Sequence, residues 1–295
     1  MKTGFSVFLA AFLAFGASWY GLVYGPLQQL GGAQQTVVLQ SADNWPPQRT
    51  GEATLGLQVY RKYGCAACHT EQVRQTGAAN ELALTSLGVQ KAADFKDFMK
   101  SVMIVPALLN ASNTIIGNLD KWNGDLPVTL YSGDDSIVVS TLADKLKPVG
   151  VKTEALVVAR GADIARGWGT RQSVAADYLY DEPVPLGNLR AGPDLTTIGV
   201  REPDPNWQWQ HLYAPRSVVP DSTMPAFRFL FEVRKKIGGQ SAPDALALKP
   251  EFAPAADLEV VPKAEARQLV AYLMSLKANA PLYEAPFTPV TAAKK

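Results

Sequence analysis

Cysteine and histidine are scarce in this chain of 295 residues: there are two of each, and three of those four lie in one run, Cys65-Ala66-Ala67-Cys68-His69. Charge is balanced as well, with 28 Lys and Arg against 27 Asp and Glu. That balance gives no support to a nucleic-acid ligand or a strongly anionic surface. No charged residue occurs between Lys2 and Asp43. The segment between Thr76 and Arg166 contains no Cys or His, so whatever chemistry the chain carries lies outside it.

The charge-free N-terminal stretch from Phe5 to Tyr24 is about long enough to cross a bilayer as one helix. Trp19, Tyr20 and Tyr24 stand where an aromatic belt meets the far interface, and Lys2 on the short side puts the N-terminus in the cytoplasm. The competing reading is a cleaved signal peptide, with Phe15-Gly16-Ala17-Ser18 as the small-residue site; the apolar run continues past it. Under either reading the rest of the chain is exported. Residues 1–25 are therefore assigned to an anchor. Residues 26–50, rich in Gln, Gly and Pro without hydrophobic period, are assigned to a linker.

Glu52 to Tyr63 is patterned as a short amphipathic helix leading into Gly64 and the cysteines. Near the other end, Lys263 to Lys277 sets Ala266, Leu269, Val270, Leu273 and Leu276 at helical spacing behind Pro262. Between these, residues 77–165 have another character. Asp94 to Leu109 and Ser136 to Leu146 are expected helices, and 128–131 and 151–158 are expected strands, which together suggest a small βαβ unit in an inserted α/β subdomain. Met99 and Met103 are assigned to its core rather than to a metal. Residues 237–262 and 278–295, rich in Ala and Pro, are expected as surface loop and tail, the tail proper being 281–295.

Cys-x-x-Cys-His is the attachment signature for one covalent c-type haem. Two thiols add across the porphyrin vinyl groups, the two intervening residues let both sulfurs reach the ring, and the adjacent His69 lies under the iron as axial ligand. A zinc set of Cys65, Cys68, His69 and His211 would need ligands at a spacing unlike that of zinc modules. A thioredoxin-like dithiol lacks its strand-to-helix context, and a Cys65–Cys68 disulfide would close too small a loop to stabilise much. The sixth ligand then comes from Met224 or His211. Met224 follows Pro220 and precedes Pro225 in a stiff non-helical loop suited to presenting a thioether, whereas His211 sits in an apolar helical stretch as a satisfied structural residue. Met224 is chosen, and a thioether favours Fe(II) and raises the potential.

Gly192-Pro193-Asp194-Leu195 reads by itself as a Gly-Pro turn. In c-type cytochromes the proline carbonyl of such a segment accepts the proximal histidine's Nδ1–H, which makes Pro193 a candidate. Of Arg166, Arg171, Arg190 and Arg201, which flank this region, Arg190 is the first choice as a haem-propionate partner.

With these residues placed, the chain resembles the monohaem cytochrome c subunit (subunit II) of cbb3-type haem–copper oxidases. The likeness runs through Gly64 to His69, Arg166-Gly167-Trp168-Gly169, Tyr180 to Pro183, Arg190 to Leu195, Gly199-Val200-Arg201, and His211 through Pro220 to Met224-Pro225. It implies a mainly α protein: a class I cytochrome c domain (51–76 and 166–280), one N-terminal transmembrane helix and the α/β insertion. It also implies His69 and Met224 as axial ligands, a single-pass protein of a bacterial inner membrane with its haem domain in the periplasm, a donor cytochrome c, and a catalytic oxidase subunit as partner. The insertion at 77–165 and the lack of a histidine soon after 167–169 depart from the family pattern. With both cysteines used by haem and too few histidines for a haem–copper or dinuclear copper centre, the chain is expected to transfer electrons and leave the chemistry to a partner. A nitric oxide reductase subunit, another respiratory or photosynthetic complex, a peroxidase-like enzyme and a haem-stapled assembly protein are the alternatives.

Overall fold

The computed structural model describes residues 2–285 apart from Ala33 and Gln40; most of the expected tail, 286–295, lies outside the described residues. The N-terminal helix α1 (Lys2–Trp19) passes through a π-helical turn at Tyr20–Tyr24 into α2 (Gly25–Leu30). Within it, Gly4–Gln29 is a 26-residue apolar stretch of mean hydropathy 1.7, long enough to span a bilayer, and its apolar side chains are exposed. Pro26 follows directly on the π-helical turn, whose Gly25 N bonds to the Tyr20 carbonyl, at the place where the helical hydrogen-bond pattern changes and a missing N–H is accommodated.

The stretch expected as a linker is docked instead of free. Strands β1 (Thr36–Val37) and β2 (Asn44–Trp45) pair antiparallel. Trp45 Nε1 donates to Asp177 at 2.7 Å, and the Arg49 guanidinium pairs with Asp181 and lies over the Tyr272 ring at 5.3 Å. A tryptophan and an arginine with buried carboxylate partners outweigh the Gln/Gly-rich composition that suggested a free tether.

Helix α3 (Glu52–Lys62) carries one face into a core shared with the C-terminal helix; its buried residues Gly56, Val59 and Tyr60 recur at helical spacing. The chain then leaves through Gln75 into the insertion. Strand β3 (Gly77–Ser86) is followed by α4 (Ala92–Val102) and α5 (Ser112–Lys121), then β4 (Val128–Gly133), α6 (Ser136–Leu146) and β5 (Lys152–Arg160). Strand order is β4-β3-β5, and β3 is antiparallel to both neighbours. The expected β4-α6-β5 crossover is present, but β3 lies between its two strands, so the unit is split. The first expected helix stops at Val102 and resumes as a 3-10 turn from Pro106 to Ala111, since Pro106 lacks the N–H a continuing helix would use. Phe95, Met99, Leu108, Ile115, Leu130 and Leu142 are fully buried in a core of this unit's own, and Met103 joins them.

After β5 come α7 (Ala162–Ala165), a long irregular stretch, α8 (Ile198–Arg201) and α9 (Pro205–Tyr213), the last capped by Asp204, whose carboxylate accepts from Asn206 N at 2.9 Å. Strands β6 (Phe231–Lys235) and β7 (Leu258–Pro262) form a hairpin, and Val260 and Val261 are buried, so the end of 237–262 is core strand rather than surface loop. The early tail is packed too: Leu282 and Ala285 are buried and bridge one another. Helix α10 (Ala264–Ser275) closes the second core on α3. The described residues thus form a mixed assembly of helices and three small antiparallel sheets with two separate apolar cores.

The α3–α10 contact is backbone against backbone. A Cβ on Gly56 would lie 1.9 Å from the Gln268 carbonyl oxygen and 2.7 Å from Tyr272 Cβ. Gly56→Ala must therefore part the two helices, a loss on the order of 1–3 kcal/mol. A fall in the thermal unfolding midpoint of the purified protein is the expected result; an unchanged midpoint would contradict the close approach.

Candidate functional site: an apolar cleft between His69 and Met224

Gly64, with φ 66°, ends the turn after α3 and starts a 3-10 turn at Cys65–Ala67. Cys68 N and His69 N both donate to the Cys65 carbonyl, at 3.1 and 3.0 Å, so the run is wound tightly with its two thiols free, Cys65 half-buried and Cys68 exposed. Burial pushes the Cys65 thiol up to about 12.

Residues 186–196 wrap this turn. Asn188 N donates to the Ala66 carbonyl, Gly192 N to the Cys68 carbonyl and Leu195 N to the Thr70 carbonyl, at 3.0, 3.0 and 2.8 Å. His69 Nδ1 lies 2.8 Å from the Pro193 carbonyl oxygen. The carbonyl can only accept, so Nδ1 carries the proton and Nε2 keeps its lone pair. Burial lowers the His69 pKa, with the Pro193 carbonyl opposing that shift. Gly192 is required here, since a Cβ would stand 2.3 Å from His69 Cε1. Asp194, fully buried, accepts from Thr70 Oγ1, Gln72 N and Thr196 N at 2.6, 2.8 and 2.9 Å, which offsets the cost of burying its carboxylate.

Across the cleft stands half-buried Met224, in the loop after α9 whose Phe227 N returns to the Leu212 carbonyl at 2.8 Å. His69, Pro193, Trp207, His211 and Met224 line both the inner part of the cleft and its mouth. Leu195, Leu212, Leu269 and Leu273 make the inner wall apolar, and Cys65 borders it while Cys68 borders the mouth. His211 is not the satisfied helix residue expected: its Nδ1 is buried without a hydrogen bond, and burial together with the nearby His69 pushes its pKa down to about 4, with the Pro215 carbonyl opposing that shift.

Arg190 does not line this cleft. Its guanidinium pairs with Asp163, donates to the Gln72 carbonyl at 2.6 Å and lies over the Trp168 ring at 5.6 Å. Arg201, whose role the sequence left open, donates to the Asp194 carbonyl; Arg190 Nε and Arg201 Nε are both buried donors without partners. Arg171 is spent on a buried bidentate pair with Asp177, at 2.9 and 2.7 Å, and Arg166 lies over Trp168 at 4.9 Å.

These groups fit a covalently held haem: two free thiols on one turn at the cleft edge, an imidazole with its distal nitrogen fixed and its Nε2 available, a thioether opposite, apolar walls between, and unpartnered guanidinium N–H groups behind Asp194. Among the described residues no three His, Cys, Asp or Glu side chains gather as a metal set, so the tetrahedral alternative is not assembled.

Behind His69, Glu71 is buried with Tyr272 OH donating to both its oxygens, at 2.9 and 2.8 Å, while Tyr178 OH donates to its carbonyl at 2.6 Å. Burial raises the Glu71 carboxyl from 4.5 to about 8, with Tyr272 and Arg49 opposing that shift. Between those two values the folded chain holds a proton the unfolded chain has lost, so stability falls as pH rises through the window. Glu71→Gln should flatten that fall when unfolding free energy is followed across it; an equally steep fall in the variant would assign the slope elsewhere.

Residues 162–252 match the family described as "Cytochrome C oxidase, mono-heme subunit/FixO". The match begins immediately after the inserted sheet and takes in Arg190, Pro193, His211 and Met224; Cys65 to His69 lie on the other side of the insertion. No curated protein matches the chain.

Proposed function

We propose that this chain, which over residues 162–252 carries the mono-haem subunit family of cytochrome c oxidase, is the membrane-anchored electron-transfer subunit of such an oxidase. The observation that carries the reading is the cleft itself, where Cys65, His69 and Met224 meet from opposite sides of an 85-residue excursion (77–161) together with the Pro193 carbonyl. Bound there through Cys65 and Cys68, haem c supplies a one-electron iron couple.

The chain's own residues set the conditions for that couple. His69, oriented by Pro193, would hold the iron through Nε2, and Met224 would hold it through its sulfur. Leu195, Leu212 and Leu273 exclude water, which disfavours the more highly charged ferric state and so raises the potential. Arg190 and Arg201 hold free N–H donors for the carboxylates of the porphyrin. The part carrying the cleft has the class I cytochrome c arrangement in this reading: α3 and α10 packed face to face, the Cys-x-x-Cys-His turn after the first, and the methionine loop before the second. The α1–α2 helix is the single span, with the N-terminus cytoplasmic and the haem domain periplasmic, where covalent attachment retains the cofactor. Electrons arrive from a donor cytochrome c and leave to the catalytic subunit, because a sequence with two Cys and two His leaves too few ligands for a second metal centre.

Protein purified from a host with a working haem-attachment system should stain for haem after denaturing electrophoresis and copurify with an oxidase catalytic subunit. Met224→Ala should keep the stain, lower the reduction potential, and allow carbon monoxide to bind the reduced protein. Retention of the native potential in that variant would remove Met224 from the iron, and copurification with a nitric oxide reductase in place of an oxidase would reassign the partner.

A further inference from the structure

His211 has a side chain that the protein fold leaves unsatisfied. It lies on α9 one turn after Trp207, and the two rings stack with centroids 4.8 Å apart and planes 13° from parallel. The stack fixes the imidazole plane at the boundary between the inner cleft and its mouth, on the wall shared with Met224. A buried polar nitrogen left without a hydrogen bond loses its water and gains nothing in return, so it destabilises the fold. The Pro215 carbonyl lies near the ring, but Nδ1 makes no hydrogen bond to it, and the inner wall beside it offers leucines and Gln208, whose Nε2 is spent on the Glu202 carbonyl at 3.2 Å, so the nitrogen is matched by something that occupies the cleft.

Two roles are open to such a nitrogen: to bind the iron in place of Met224, or to hydrogen-bond the group on Met224's side. The backbone favours the second. His211 is fixed in a regular helix and held by the Trp207 ring, whereas Met224 is an unbranched side chain on a loop, tied back to the same helix by Phe227 N to the Leu212 carbonyl at 2.8 Å. The long thioether can reach an axial position that a clamped imidazole does not need to reach. A neutral ring has one N–H to give and one lone pair, and a thioether sulfur accepts weakly.

We propose that His211 is a positioning residue for Met224, its ring N–H donating to the thioether sulfur and so fixing the sulfur's orientation and drawing lone-pair density from it. That withdrawal favours reduced iron and raises the potential. The inference rests on the haem reading of this cleft.

The test uses the haem-loaded full chain. His211→Phe keeps a ring and removes the nitrogens; His211→Gln keeps an N–H. With haem per polypeptide unchanged, the Phe variant should show a lower potential and a weakened methionine–iron charge-transfer band in the oxidised state, and the Gln variant should recover most of both. A Phe variant with the native band and potential overturns the proposal. So does a wild-type spectrum of bis-imidazole type that the Phe variant loses, since His211 would then be the ligand. Should the Phe variant fail to fold, proton NMR of the unaltered reduced protein decides: a slowly exchanging His211 ring N–H supports the bond, and complete exchange within the dead time overturns it. Absence of haem stain in the wild type would instead remove the reading of the cleft beneath it.

Discussion

The hydrogen bond between His69 Nδ1 and the Pro193 carbonyl joins residues 124 apart in sequence, and the cleft depends on it. Without an acceptor at that point the imidazole could rotate and protonate at either nitrogen. With it, one tautomer is fixed and Nε2 faces the cleft. The bond is held in turn by its neighbours. Gly192 lets the chain approach the ring to a distance no side chain would permit, and the Asp194 carboxylate gathers Thr70, Gln72 and Thr196 so that residues 68–72 cannot drift from 192–196. Several charge-assisted bonds on one fully buried carboxylate tie these two segments together more tightly than apolar contact would.

This clamp also explains how the chain carries an insertion between the two halves of one site. The inserted sheet leaves and returns at one place: Thr76 N donates to the Arg160 carbonyl at 2.8 Å, and Gly161, with φ 150°, brings the strands together. Asp163 fastens the junction, accepting from Arg74 N at 2.7 Å on one side and from Arg190 on the other. The insertion buries its own apolar residues, and none of its core members belongs to the core beneath the cleft. Closing a long excursion costs only a slowly growing entropy, and a stem with matched ends adds no strain to the site.

The two sides of the cleft are built differently. On the His69 side the chain spends backbone hydrogen bonds, a glycine and a buried aspartate on immobility. On the Met224 side it uses a proline-flanked loop tied to α9 at Leu212, with a stacked Trp207–His211 pair beside it. A rigid side faces an adjustable one, which suits the proposed haem, whose iron would change charge without large rearrangement.

The sequence by itself determined the local features. Cys65-Ala66-Ala67-Cys68-His69, the α3 and α10 periodicities, the α6 boundaries, the burial of Met99 and Met103 and the apolar N-terminal helix were legible because each is set by residues within one or two turns of chain. Tertiary structure decided the rest. Strand β3, Ala-rich with Asn80 and Glu81 in it, has no strand pattern of its own and exists because β4 and β5 pair with it on both sides. The stretch expected as linker is docked because Trp45 and Arg49 find Asp177 and Asp181, 132 residues away. Part of the expected loop, 258–262, is a strand because β6 meets it. Arg190 was expected as a propionate partner and is found paired with Asp163 with its Nε buried and unpartnered, while His211 was read as satisfied and its Nδ1 is not. The partner of a polar side chain, unlike the period of a helix, is fixed by segments far off in sequence, and only the folded chain brings them together.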